Sequence, residues 1–307
     1  MTALRRSALA CLLAVAACTQ TPGQQARPSS SGSTSAPAPT PASSFDETQV
    51  TAVVRYLAGE IGPRETTGDA YRKAAAFVEA RFRSFGYRVR RQPFRVPGGL
   101  SNFAPVQEGD TFNVIAEPPG FDPTGPHLVV GAHLDTVPQA PGAVDNAAGV
   151  GIVLELARLA STHAPSLPVV FVAFGGEEAR VPNGGLHGSR AYVAALGASE
   201  RRAISGAIAI DRLGTGDRVP VCTASDRGRV IATKLVDAAR RAGVPTSEFS
   251  NASSDHVPFD AAGIPAVRIG PDEFPQYHTP QDVPSIFVPA QAARAGRLLW
   301  EALSATS

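Results

Sequence analysis

Apolar and polar positions along this chain follow two rhythms, and the change from one to the other predicts its architecture. Residues 46–58 and 67–85 carry apolar side chains at helical spacing, the second stretch opening with a Thr66-Thr67-Gly68-Asp69 cap signal. Residues 87–96 alternate with a period of two, as a half-buried strand does. Further on, short, mainly apolar runs occupy 128–131, 168–174, 207–210 and 266–269, between amphipathic stretches at 147–160, 230–242 and 291–303. Apolar runs of strand length separated by helices mark strands covered on both faces. The prediction is an α/β fold: a single domain over residues 45–307, with a mostly parallel twisted sheet flanked by helices on both faces.

The first 44 residues follow neither rhythm. Arg5 and Arg6 precede an apolar run at 7–17, which is shorter than the roughly 20 residues that span a bilayer. The stretch Val15-Ala16-Ala17-Cys18 resembles a bacterial lipobox, so a lipoprotein signal peptide is expected over 1–17, with lipidation of Cys18. Residues 19–44 are almost all Pro, Ser, Thr, Ala, Gly and Gln, a composition too poor in large apolar side chains to build a core. They read as a disordered linker. The chain is therefore expected to be exported, facing the periplasm or the cell exterior. It would be held at a membrane by its lipid anchor alone, or be secreted if the signal is an ordinary cleaved one.

Composition adds little to this picture. A formal net charge of +1 on 307 residues gives no reason to expect nucleic acid as a partner. Lys73 and Lys234 are the only lysines, a bias read as genomic. Cys222 has no partner for a bridge within the domain and is expected to be a small buried residue. A monomer is favoured.

The chemistry lies in five short signatures. His133 stands in Gly131-Ala-His-Leu-Asp135, Asp145 in Gly142-Ala-Val-Asp-Asn146, and Glu178 in Phe174-Gly-Gly-Glu-Glu178. Asp211 ends Ala209-Ile-Asp211, and His278 stands in Tyr277-His-Thr-Pro280. Two imidazoles and three carboxylates suit a pair of adjacent zinc-like ions that share one carboxylate. Three of the signatures follow predicted strands, and Asp145 immediately precedes a predicted helix. Loops at the carboxyl ends of strands converge in open α/β sheets, so residues far apart in sequence can meet there.

In the order and context of these segments, together with Gly188-Ser189 and Ser254-Asp-His-Val-Pro-Phe259, the chain resembles the co-catalytic dizinc aminopeptidases, metallopeptidase family twenty-eight, over nearly all of residues 46–307. The resemblance implies a zinc-exopeptidase (phosphorylase/hydrolase-like) fold and two Zn2+ ions. His133 and Asp211 would hold one ion, Glu178 and His278 the other, and Asp145 would bridge them. Cobalt or manganese could replace zinc. The implied substrates are peptides with a free N-terminus, cleaved by a water between the metals with Glu177 as general base. Tyr277 would assist the oxyanion, and Asp135 would accept the second ring N–H of His133. A cis peptide at Asp145-Asn146 is also implied.

Other residues receive plainer readings. His127, His163 and His187 lack motif context and are set aside. Asp255-His256 is expected to cap a helix and bond within its loop. Arg212 stands where the family commonly has an apolar residue, and residues 179–187 form a longer link than usual, so both bear on substrate preference. Two other functions stay open: a single-zinc glutaminyl-peptide cyclotransferase, in which a tryptophan typically precedes the last histidine, and a tethered binding relative without catalysis.

Overall fold

The computed structural model describes residues 44–305, so the expected signal peptide, Cys18 and the linker as far as residue 43 lie outside the described residues. No helix among the described residues is long and apolar enough to cross a membrane. The chain opens with α1 (Glu47–Val54), capped by the Asp46 carboxylate accepting from Thr48 N–H, and continues through a π-helical stretch at Arg55–Ile61. Helix α2 spans Asp69–Ser84. Its expected threonine cap is not made, because Gly68 occupies the cap position and Thr67 bonds instead to Glu65. Next come β1 (Arg88–Val96), the short hairpin β2 (Gly99–Ser101) and β3 (Ala104–Val106), β4 (Gly109–Glu117) and β5 (His127–His133). Helix α3 (Ala148–Thr162), β6 (Val169–Phe174), α4 (His187–Ala194), α5 (Ala198–Ala203), β7 (Ile204–Ile210) and β8 (Val219–Thr223) follow. Helix α6 (Arg229–Ala242), β9 (Thr246–Ser250), α7 (His256–Ala261), β10 (Ala266–Ile269) and α8 (Pro289–Ser304) complete the fold.

Eight strands form one sheet in the order β1-β4-β6-β5-β7-β10-β8-β9. The four apolar runs are its parallel centre: β5 pairs in parallel with β6 and β7, and β10 pairs in parallel with β7. The flanks are mixed, with β1, β4 and β6 antiparallel, β8 antiparallel to β10 and β9 parallel to β8. Side chains of the central strands alternate between two cores, as the pleat requires. Val169, Phe171 and Ala173 of β6 join the core under α1, α2, α3, α6 and α8, whereas Val170, Val172 and Phe174 join a second one with Tyr192 of α4 and Phe259 of α7. Burial on both faces is why these strands read as continuous apolar runs. A cavity of about 240 Å³ lined by Leu128, Ile208, Ile231, Lys234, Asp237 and Arg241 lies at the amino end of β5, away from the site described next.

Candidate metal centre

Four of the five signature residues sit where a central strand ends or a helix begins, and His278 lies in a turn at 275–278, beyond β10. His133 is the last residue of β5, Glu177 and Glu178 follow β6, Asp211 follows β7, and Asp145 lies in a π-turn (Ala143–Ala147) leading into α3. The Asp145-Asn146 peptide is cis, as the resemblance implied. Buried polar groups hold these loops in place. Asn146 donates to the carbonyl of Ile210 at 2.8 Å and accepts from Gly149 N–H at 3.1 Å, tying the Asp145 turn to the end of β7. A Cβ on Gly149 would lie 2.1 Å from Asn146 Oδ1, so only glycine leaves room for that tie.

The side chains form two triads that share a residue. His133, Asp145 and Asp211 make one and Asp145, Glu178 and His278 the other, each with ligand atoms within 4.8 Å of one another. His133 Nε2 lies 3.0 Å from Asp145 Oδ1 and 3.2 Å from Asp211 Oδ1. His278 Nε2 lies 3.4 Å from Asp145 Oδ2 and 3.0 Å from Glu178 Oε2. Asp145 thus turns one oxygen to each half. Its Oδ1 and the His278 Nε2 are buried without a hydrogen-bond partner, because the lone pairs aim at common points rather than along donor–acceptor lines. Ligand atoms about 2 Å from a tetrahedral centre are ~3.3 Å apart, which is the spacing seen. The donor set therefore fits two zinc ions.

The electrostatics point the same way. Asp135, Asp145, Glu178, Asp211 and Asp255 are buried, and Glu177 is half-buried beside them. Burial, reinforced by Asp211, Asp255 and Glu178 against the opposing pull of His133, holds the Glu177 carboxyl well above the usual carboxylate range. Burial also pushes Asp255 up to about 7. Burial disfavours a charged His133, but Glu177, Asp145 and Asp211 outweigh it and raise that imidazole well above its ordinary value. Such an excess of buried carboxyl groups calls for cations.

Two expectations are corrected. Asp135 does not accept from His133 through its carboxylate, which lies 3.9 Å from Nδ1. The ring N–H instead donates to the main-chain carbonyl of Asp135 at 3.1 Å, which frees the carboxylate to accept from the N–H groups of Glu177 and Glu178 at 3.2 Å each. Asp135 therefore fixes the tautomer with its backbone and the glutamate loop with its side chain. Asp255 makes no side-chain cap on α7, because its carboxyl is turned into the field of His133, Asp135 and Asp211. Arg212, expected from the sequence to bear on substrate preference, points inward: its Nε and Nη2 donate to Asp211 Oδ2 at 3.2 and 3.1 Å, and its guanidinium stacks over Tyr277 at 4.8 Å. Tyr277 in turn stacks on His278 with centroids 3.8 Å apart. Cys222 is buried, and burial pushes its thiol up to about 12, as suits a core residue.

Two supporting residues escape sequence reasoning. Asp282 accepts from the N–H groups of Val144 and Asp145 at 2.8 and 3.0 Å. Arg64, fully buried, donates to the carbonyls of Leu57, Gly62, Leu134, Pro141 and Gly142, pinning the loop between His133 and Asp145. The only signal for Asp282 is its place four residues after His278, and Arg64 has none.

Comparison with known proteins finds relatives by sequence and by fold. The chain is 34% identical over 166 residues to aminopeptidase YwaD of Bacillus subtilis, covering 50% of this chain and 35% of that protein. It is 32% identical over 212 residues to leupeptin-inactivating enzyme 1 of Streptomyces exfoliatus, covering 68% and 45%. The match thus spans less than half the length of these relatives. "Probable lipoprotein aminopeptidase LpqL" of Mycobacterium tuberculosis is 38% identical over 118 residues, covering 37% of this chain and 21% of that one. Among solved structures, BSAP, a zinc aminopeptidase from Bacillus subtilis, superposes with a TM-score of 0.75 at 20% identity, covering 85% of this chain and 95% of that one. Porphyromonas gingivalis glutaminyl cyclase does so with 0.73 at 20% identity, covering 84% and 98%. At those identities the likeness is one of fold. The description of Peptidase family M28 matches residues 113–303, and with well over half of its length so matched, the chain belongs to that family.

Proposed function

We propose that this chain is a dizinc aminopeptidase that hydrolyses the first residue from peptides with a free N-terminus. The observation that carries the reading is the sharing of Asp145, one oxygen to each triad, with Glu177 next to Glu178 at the mouth. His133 and Asp211 would hold one zinc and Glu178 and His278 the other. When bound, the metals would polarise the scissile carbonyl and acidify a water. Glu177, next to Glu178 and not itself in either triad, is suited to take that water's proton and pass it to the leaving amine. Tyr277, fixed between Arg212 and His278, would present its phenol to the developing oxyanion.

The glutaminyl cyclases share the fold, so the test must separate the reactions. We expect close to two zinc ions per chain and chelator-sensitive release of free amino acid from a panel of aminoacyl nitroanilides. One zinc per chain with release of ammonia from N-terminal glutamine, and no hydrolysis across the panel, would assign the cyclase reaction instead. Zinc binding without either reaction would leave the binding relative. We also propose export and lipidation at Cys18, supported by the Val15–Cys18 motif and by the similarity to the probable lipoprotein aminopeptidase of Mycobacterium tuberculosis. Palmitate labelling lost in a Cys18→Ser variant, with the domain released to the soluble fraction, is the expected result.

A further inference from the structure

Five large apolar side chains are exposed among the described residues, and three of them, Leu100, Phe103 and Val181, belong to one small structure. Phe103 is 93% exposed at the tip of the β2–β3 hairpin. Leu100 of β2 and Val181 face each other across a two-bond bridge, with N···O distances of 3.0 and 2.9 Å. The contact needs Gly99, because a Cβ there would lie 2.6 Å from the Val181 carbonyl oxygen. Arg180 locks the pair together by donating to the carbonyls of Pro97 and Gln107 at 2.8 and 2.7 Å. The long 179–187 link is thus folded onto the hairpin.

The hairpin is fastened to the metal centre. Asn102 and Phe103 both adopt left-handed backbone, φ 45° and 68°, a conformation that costs L-residues about 1 kcal/mol or more each and that clusters at functional sites. Asn102 Nδ2 donates to the carbonyl of His278 at 2.7 Å, and Gln139 donates to the carbonyl of Asn102. The tip therefore cannot flap freely.

The candidate ligands are unequally exposed. The side chains of His133 and Asp211 are each 1% exposed, whereas His278 is 22% exposed. A peptide with its first residue at the metals must send the rest of its chain to solvent, and the partly exposed His278 is joined to the hairpin through Asn102, the neighbour of Phe103.

The geometry points to a specificity subsite at this lip: Phe103, backed by Leu100 and Val181, receives an apolar side chain immediately after the scissile bond, so that the substrates are peptides apolar at their second residue. This inference rests on the aminopeptidase reading. Its test compares X-amide, X-Gly-Gly and X-Phe-Gly, X being the residue best accepted in the nitroanilide panel, on the zinc-loaded protein and its Phe103→Ser and Phe103→Leu variants. Wild type should prefer X-Phe-Gly to X-Gly-Gly by about tenfold in kcat/KM. Phe103→Ser should abolish that preference through KM while leaving X-amide unchanged, and Phe103→Leu should keep most of it. Active wild type with no preference, or a loss in Phe103→Ser shared equally by X-amide, overturns the subsite and leaves the aminopeptidase reading standing. Wild type that cleaves none of the three overturns both. Concentration-dependent dimerisation that Phe103→Ser abolishes, with the preference intact, would give the lip to a second copy of the chain and overturn it too.

Discussion

Single side chains decide the chemistry, and the sequence is most informative at this scale. His133, Asp145, Glu178, Asp211 and His278 could be singled out because metal ligands come in a restricted set of residue types inside short turns, and the structure brings all five together. What a motif does not reveal is which atom of a residue is used. Asp135 could be recognised as supportive, but the division of labour between its carbonyl and its carboxylate depends on the path of the β6 loop. Arg212 shows the same limit, since its inward direction follows from a left-handed φ of 58° that its neighbours in sequence do not announce. Two predictions belong here. Glu177→Gln should lower kcat by about a thousandfold or more while zinc content measured by emission spectrometry stays unchanged, the loss expected when a general base that also returns the proton is removed. Arg212→Met should free Asp211 Oδ2 from its two N–H donors and loosen the hold on one zinc, read as roughly tenfold faster extraction of a single ion by a chelator. Arg212→Lys, which keeps the charge but not the fork, should fall between the two.

Elements were legible where they followed a clear rhythm, the central strands as apolar runs and β1 by its alternation, and obscure where they did not. The central strands could be read from their apolar runs, but β9, with the sequence Thr-Ser-Glu-Phe-Ser, is largely exposed, and β8 contains Pro220. Strand β4 carries Asn113 in its middle, which looks like a break. Its side chain accepts from Gly175 N–H at 3.0 Å and donates to the Gly188 carbonyl at 2.8 Å, steadying the loop that carries Glu177 and Glu178. The polar residue that hides the strand is thus there for the site. Arg64 is the comparable device on the other side. Replacing it with Met would leave five main-chain carbonyls without their donor. With unsatisfied buried groups at about 1–3 kcal/mol each and partial rescue by water, we expect a loss of roughly 3 kcal/mol. Calorimetry should show Tm lower by about 6–12 °C for a domain of this size.

For the molecule as a whole, the buried carboxyl groups make the metals part of the fold's stability as well as of its chemistry. Apo protein should keep its sheet, because the two apolar cores do not involve the site, but should melt lower than the zinc form, since any ligand bound only to the native state stabilises it. Differential scanning calorimetry before and after chelation, with recovery on adding zinc, checks this; an unchanged Tm would mean that the cluster is neutralised without cations. The fold class was legible because alternation between strand and helix is a global pattern, whereas Arg64 and Asp282 were not, because they act across distances that only the folded chain defines. The candidate ligands, moreover, run from His133 to His278, close to half the chain. A ribosome must therefore have made nearly all of the domain before the last imidazole exists, so a copy that stops before residue 278 would lack one side of the second triad.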